Sequence, residues 1–428
     1  MKPSGARSVS RRHFLQGAAA LCGAACRRQD EAAGRTVASL WFTYGGRNRQ
    51  VLERLVARFN TSQSSYFVRA VYQGDYFEGL AKLRTAVAAR SGPSFSHVVG
   101  EVVPYLFEAQ VLEPLDDYPG AGELGILHAL GQAGSFLGGS RRPLVALPFN
   151  RSTPIAYLNG QIFEQARLAA PTSWDTLREV ARRLTVRRGG RVVRHGFGCP
   201  IDWWFWVALV GQAGGRIVDA AGRVTLGGDA AVQALELWQD LVQREGSMKP
   251  PPGRDYNAWE QTNQDFLAGR TAMIWTSTAF LKYLEENAPF PVVAAPLPKH
   301  VERAVPTGGT HWIVLRQAPE HEKRAAWAFL RFMHEPEQVI EWATETGYLP
   351  VTEAAIARLE RDGYFARHPN AKVALDQLAV AMPWPWSTEL FRIQREIVQP
   401  RLESAVLSGA NAARLIEQAR ALIEGQSG

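Results

Sequence analysis

Between residues 37 and 99 the chain alternates short apolar runs with helical stripes, which leaves few folds open. Val37 to Phe42 reads as a strand. Val51, Leu52, Leu55, Val56 and Phe59 share one helical face, and Asn60 is expected to end that helix. Tyr66 to Tyr72 is a second strand, Phe77, Leu80, Leu83 and Val87 stripe a second helix, and Ser96 to Val99 is a third strand. Strands joined through helices in this order pair in parallel, because a crossover connection brings each strand back in the same direction. The expected fold class is therefore α/β with an open sheet.

A chain of 428 residues exceeds what one hydrophobic core usually serves, so two lobes are expected. Leu144 to Pro148 and Pro154 to Asn159 read as extended pieces in series, which suggests a crossing between lobes. Thr172 or Ser173 can cap a helix carrying Trp174, Leu177, Val180, Ala181 and Leu184, and Asp229 can cap one carrying Val232, Leu235, Trp238 and Leu241. Met273 to Trp275 and Thr310 to Leu315 read as strands, with recrossings placed near residues 275 and 330. The first lobe is then expected over 36–148 plus 275–330, and the second over 149–274 plus 331–428. The last hundred residues are expected to be mainly helical.

The N-terminal residues 1–25 read as an export signal. Arg11-Arg12 followed by a weakly apolar Gly/Ala stretch is of the twin-arginine type, and Gly23-Ala24-Ala25-Cys26 looks like a lipobox that would make Cys26 a lipidated N-terminus. The alternative is cleavage at an A-x-A-like site, with Cys22 and Cys26 as small residues of the apolar region. Removing Lys2, Arg7, Arg11 and Arg12 from the formal charge of +7 leaves +3. So mild an excess, interspersed with acids, argues against a nucleic-acid partner. Cys199 beside Pro200 reads as a buried small hydrophobe rather than a nucleophile.

Enzyme signatures are missing. The sequence has no G-x-x-x-x-G-K-[ST], no H-E-x-x-H and no G-x-S-x-G, and His334-Glu335 runs into Pro336 without its second histidine. No metal or cofactor is expected. An exported glycoside hydrolase would need paired acids across a cleft, and the adjacent Asp116 and Asp117 do not meet that geometry.

The run Phe266, Gly269, Arg270, Ala272, Met273, spaced F-x-x-G-R-x-A-M, resembles the extracellular solute-binding proteins of ABC importers. The resemblance spans nearly the whole chain beyond the export segment. Within that superfamily the likeness is strongest to the sn-glycerol-3-phosphate-binding members, through Asn150-Arg151-Ser152-Thr153-Pro154, through Thr346-Gly347-Tyr348-Leu349-Pro350-Val351-Thr352, and through Arg395 leading into Leu402-Glu403-Ser404. It implies a two-lobed periplasmic-binding-protein fold of type II-like topology, a hinge, a small-molecule ligand in the interlobe cleft, and delivery to permease subunits. The implied location is the periplasm or the outer face of the cytoplasmic membrane, with lipid anchoring.

Carried over residue by residue, the implied ligand contacts are Tyr76, Glu101, Ser152, Trp204, Ser277, Gly309, Tyr348 and Arg395. Arg395 offers a phosphate a permanent charge, the tyrosines and serines offer hydroxyls, and Gly309 offers a backbone N–H. Glu101 can accept from glycerol hydroxyls, and Trp204 can form an apolar wall. Trp203, Trp204, Phe205 and Trp206 point all round a helix, so at least two of them should be core. Two departures from the resembled pattern stand out. Trp384-Pro385-Trp386 replaces a more flexible stretch before Arg395, and Trp41-Phe42-Thr43-Tyr44-Gly45-Gly46 differs on the other side of the cleft. The ligand that the resemblance implies is glycerol-3-phosphate or, given these departures, a glycerophosphodiester such as glycerophosphocholine, whose quaternary ammonium Tyr44 with neighbouring tryptophans could favour by cation–π attraction. An oligosaccharide is the alternative.

Overall fold

The structure is a computed structural model and describes residues 32–132, 143–219, 223–253, 255–382 and 384–425. The export segment and Cys26 lie outside the described residues. Among those described, no helix is long and apolar enough to cross a membrane.

The first five strands in chain order are β1 (Thr36–Phe42), β2 (Tyr66–Tyr72), β3 (Phe95–Val99), β4 (Leu147–Ser152) and β5 (Pro154–Asn159). They are followed by β6 (Val186–Arg188), β7 (Arg191–Gly198), β8 (Met248–Lys249), β9 (Thr271–Ser277) and β10 (Val292–Ala295). The last three are β11 (Val305–Pro306), β12 (Gly308–Val314) and β13 (Ala381–Met382). One five-stranded sheet runs β2-β1-β3-β12-β4, and a six-stranded sheet runs β10-β5-β9-β7-β6 with β8 on β7. Each sheet carries its own helices and forms one lobe.

The opening βαβαβ unit folds as its periodicity dictates. β1 pairs in parallel with β2 and β3, and the helix Gly46–Ser62 buries Val51, Leu52, Leu55, Val56 and Phe59. Asn60 does not end that helix. Its side chain accepts from Val68 N at 2.7 Å and donates to Val68 O at 3.0 Å, pinning the helix to β2 while the backbone continues to Ser62. Ser173 caps Trp174–Leu184 through a reciprocal bond with Thr176. Asp229 is the first residue of its helix rather than the cap, which falls to Gly228 at φ +65°.

The lobe boundaries differ from the expected ones. β4 keeps Phe149–Ser152 in the first sheet, and Thr153 alone separates it from β5 in the second. β9 and β10 both pair with β5, so residues 275–295 belong to the second sheet. The chain recrosses instead at Thr307, between β11, which pairs with β13, and β12, which pairs with β3 and β4. The return is also later than residue 330. Glu320–Met333 packs on β1, and Pro336–Thr346 packs on Gly46–Ser62. The physical reason is that pairing is non-local: β9 is buried along its whole length, and an apolar run of that kind fits the middle of either sheet.

Candidate functional site

The crossing strands bring polar side chains into the seam between the lobes, and a directed hydrogen-bond chain runs outward from the first sheet. The amide of Thr43 donates to His97 Nε2 at 3.2 Å, which leaves Nδ1 to donate to Thr310 Oγ1 at 2.9 Å. Thr310 donates from both Oγ1 (2.5 Å) and its amide (2.6 Å) to Asn150 Oδ1. Asn150 Nδ2 in turn donates to the Tyr76 hydroxyl at 2.8 Å, and the Tyr76 and Tyr348 hydroxyls lie 3.4 Å apart. The Tyr76 oxygen accepts from Asn150, and either tyrosine hydroxyl can donate to the other. The chain's polarity depends on a neutral His97, and burial holds that imidazole down to about 3.

Local structure explains how these groups are aimed. Asp75 caps the helix Tyr76–Ala88 by accepting from Phe77 N and Glu78 N, which places Tyr76 at its first turn. Tyr348 follows the left-handed cap Gly347 (φ +93°) and stacks on Trp342, with centroids 5.8 Å apart. Its phenol is buried, and desolvation raises its pKa well above the ordinary value, helped by Tyr76. Gly309 (φ +94°) sits opposite Arg151 in β4, so close that a Cβ there would lie 1.8 Å from Asn150 O. Ser152 ends β4 opposite Gly308 and is buried. Ser277 ends β9 opposite Pro154 and accepts from Ala279 N at 3.1 Å.

The remaining candidates come to the same seam from other elements. Arg395 places its guanidinium carbon 3.8 Å from the centroid of Phe77, the residue after Tyr76, and so brings a second-lobe cation against the first-lobe helix Tyr76–Ala88. Phe391 also meets Phe77, and Trp386 meets Phe107 edge-on at 5.6 Å. Trp204 donates its indole N–H to Thr307 O at 3.2 Å, and a Cβ on Gly308 would come 2.6 Å from its ring. All four aromatics Trp203–Trp206 are buried, and Trp204 is the one whose indole N–H meets the crossing segment at Thr307. Glu101, in the single turn Gly100–Val102, is half-buried. Burial pushes its carboxyl above the ordinary range and Asp202 adds to the shift, while its own backbone amide and Arg151 oppose it.

Several side readings change. Tyr44 is enclosed by Phe42, His97, Phe149 and Trp342, so its ring is core and not a platform for an ammonium group. Asp116 is exposed and accepts from Leu144 N, a loop contact with no partner acid. Cys199 is fully buried, with burial raising its thiol well above the ordinary value, which suits a packing role. Among the described residues no group of three or more His, Cys, Asp or Glu side chains is placed to hold a metal ion.

Sequence reasoning did not nominate Arg151, Asn150 or Thr307. Arg151 is a fully buried arginine in β4, and Nη2 donates to Thr307 Oγ1 at 2.8 Å. Trp384 donates to the carbonyl of the same Thr307 at 2.6 Å. The available signal was a charged residue inside the otherwise buried run Leu147–Asn159, a place where arginine is rare unless it has a task.

Two α/β lobes joined by crossing strands, with polar groups of both lobes meeting at the seam, are the architecture of a solute-binding protein. A family model described as bacterial extracellular solute-binding protein matches residues 54–373, and the chain belongs to that family, the solute-capturing components of ABC importers. Among relatives, the sn-glycerol-3-phosphate-binding periplasmic protein UgpB of Pectobacterium atrosepticum is 24% identical over 424 residues, covering 93% of this chain and 92% of that protein. UgpB of Salmonella typhimurium is 25% identical over 394 residues, covering 86% and 87%. The structure of UgpB from Mycobacterium tuberculosis in complex with glycerophosphocholine superposes with TM-score 0.78 at 24% identity, covering 91% of this chain and 98% of that one. The GacH receptor of Streptomyces glaucescens, determined unliganded and with acarbose, gives 0.79 at 18% identity, covering 90% and 96%.

Proposed function

We propose that this chain captures glycerol-3-phosphate or a glycerophosphodiester in the interlobe cleft and presents it to permease subunits. The observation that carries this reading is the approach of Arg395, from the second lobe, to Phe77 beside the hydroxyl pair Tyr76 and Tyr348 of the first. A phosphate needs a cation that cannot lose its charge, and glycerol hydroxyls need short-range donors and acceptors. Tyr76, Ser152, Ser277, Tyr348 and the Gly309 amide supply the latter, and Glu101 accepts from a hydroxyl. The UgpB relatives support the same choice.

Calorimetry on Arg395→Ala tests it. Loss of a charge-assisted contact in a desolvated site should weaken glycerol-3-phosphate binding by about 2–5 kcal/mol. Unchanged affinity in the variant would remove Arg395 from the site.

A second reading, an oligosaccharide ligand, is favoured by the aromatic wall of Trp204 and Trp259, with ring centroids 5.4 Å apart. Stacking rings suit sugar faces. Tight binding of maltose or a larger neutral saccharide by the unmodified protein, with none of glycerol-3-phosphate, would decide for it.

We also propose export by the twin-arginine segment, with Cys26 as the lipidated N-terminus. This rests on the residues around Arg11-Arg12 and Gly23-Ala24-Ala25-Cys26. Intact mass of membrane-extracted protein should show a diacylated chain beginning at Cys26, and an N-terminus beyond Cys26 would end the proposal.

A further inference from the structure

Arg151 is a charged residue at the seam whose chemistry the proposed site leaves unused. It lies next to last in β4, opposite Gly309, and its carbonyl accepts from Leu349 N at 2.8 Å. Its guanidinium is fully buried, yet only Nη2 is engaged, by Thr307 Oγ1, while Nε and Nη1 meet no acceptor. Among the described residues no carboxylate comes within ion-pair distance of it.

The contrast with Asp265, a buried charge in the second lobe, is instructive. Asp265 receives Lys249 Nζ at 2.6 Å and Arg270 Nε at 2.6 Å. That buried carboxylate is compensated on both oxygens. Glu101 offsets part of the Arg151 charge from beyond ion-pair distance, but two buried, unfilled guanidinium N–H groups remain unfavourable and call for an acceptor.

The surroundings identify that acceptor as an anion. Gly100 presents no side chain, and a Cβ there would lie 3.9 Å from Arg151 Nη1 and 3.3 Å from His311 Nδ1. Both ring nitrogens of the fully buried His311 also lack partners. Glu101 is the nearby acid, held above its ordinary range by burial, and Arg151 and Asp202 act on it in opposite directions. Trp204 and Trp384 of the second lobe both donate to Thr307 O, so Arg151 lies under the closing edge of that lobe.

We infer that Arg151 is a second cation of the ligand site, donating through Nε and Nη1 to an anionic oxygen of the solute. The inference rests on the phosphate-ligand reading and deepens it. One guanidinium from each lobe then faces the phosphate: Arg395 from the second and Arg151 from the crossing strand of the first. A phosphate monoester, with close to two negative charges at neutral pH, fits two arginines better than one.

The test compares wild type, Arg151→Met and Arg151→Lys by calorimetry with glycerol-3-phosphate, and by thermal unfolding without ligand. Arg151→Met should weaken binding roughly 10- to 150-fold, the range for a hydrogen bond to a charged group. Its unliganded midpoint should stay level or rise, because the substitution removes an unpaired buried charge. Arg151→Lys keeps the charge without the fork and should fall between the two. Equal affinity in Arg151→Met with a lowered midpoint would mean a purely structural arginine and overturn the inference. If Arg151→Met does not fold, equal affinity in wild type and Arg151→Lys overturns it instead. Should wild type bind no glycerophosphate, the functional reading fails separately, and inorganic phosphate becomes the probe. A phosphate-dependent rise in midpoint seen in wild type and absent in the Arg151 variants supports the inference, and its absence in wild type overturns it.

Discussion

The first lobe buries ionisable and polar groups at the centre of its sheet, including His97, His311, Asn150, Thr310 and Arg151. The second wraps its sheet in Trp203, Phe205, Trp206, Trp238 and Trp275 and keeps its buried acid, Asp265, fully ion-paired. Both lobes are α/β, so the difference does not come from fold. A polar interior is expensive unless each group finds a partner, and the unfilled groups of the first lobe collect at the seam where a solute would sit. The second lobe also leaves buried donors unfilled, among them the indole N–H groups of Trp203, Trp238 and Trp275, but these sit inside its aromatic packing, which gives a stiff wall for the first lobe to close against. In the proposed site, recognition chemistry is concentrated in one lobe, with Arg395 as the main contribution of the other.

The strongest way to break that comparison is acid. Burial lowers His97 to about 3 and lowers His311 and His334, all three in the first lobe. A histidine with a depressed folded-state pKa contributes stability that is fully present above its unfolded value near 6.5. That contribution is lost as pH falls toward the folded value, because only the unfolded chain takes up the proton. His97 alone accounts for a loss on the order of 4–5 kcal/mol between pH 6.5 and 3. Glu101, raised by burial, works in the opposite direction above the usual glutamate range. In the second lobe, burial raises Asp265 but the hydrogen bonds from Lys249 and Arg270 prevail and hold it below its ordinary value, so its contribution disappears only in stronger acid. The half-buried His195 is the second lobe's own share of the window. Urea unfolding at pH 7.5, 5.5 and 4 should show stability falling steadily, with a shallower slope in His97→Asn. A flat profile in wild type would mean the first-lobe histidines are already solvated.

A smaller effect separates two left-handed glycines. Gly309 in the first lobe has φ +94° and would push a Cβ to 1.8 Å from Asn150 O, whereas Gly269 in the second has φ +68° and nothing within 4 Å. Gly309→Ala carries both the left-handed penalty and a steric shift of the strand that bears Asn150, for about 2–4 kcal/mol of stability. Gly269→Ala carries only the backbone penalty, about 1–2 kcal/mol. Denaturant midpoints of the two variants should differ in that order, and weaker solute binding should accompany only Gly309→Ala. Equal midpoints would show that the Asn150 carbonyl moves aside at little cost.

The contrast between the lobes was partly legible before any coordinates. Helical stripes are local, and the five residues read onto one face of the first helix are the five it buries. Of the two capping candidates Thr172 and Ser173, the cap is Ser173, which precedes the helix directly. Strand assignment failed where partners lie far apart in sequence: β9 is equally apolar toward either sheet, and only pairing with β5 places it in the second. Arg151 was read only as part of the resembled motif and not as a site residue, because arginine is ordinarily a surface residue and its burial follows from Thr307 and Gly309, more than 150 positions away. Tyr44 was misjudged for the converse reason. An aromatic near a turn looks available, and only the packing of Phe149 and Trp342 closes it off.

The finest test sets one tyrosine of each lobe against the other. Tyr348 and Tyr157 are both buried, and burial raises both phenols well above their ordinary value. Their hydroxyls differ. That of Tyr348 ends the chain running from Thr43 through His97, Thr310, Asn150 and Tyr76, whereas that of Tyr157, inside β5, meets no partner. Removing a hydroxyl that serves a ligand costs about 1 kcal/mol of binding, roughly fivefold in affinity. Removing one that is buried and unpaired relieves a desolvation penalty and leaves stability level or improved. Tyr348→Phe should therefore weaken solute binding with little change in midpoint, and Tyr157→Phe should leave binding intact with a midpoint equal or higher. If Tyr157→Phe also weakened binding, the second lobe's interior would be coupled to the ligand, and its role as an inert wall would have to be given up.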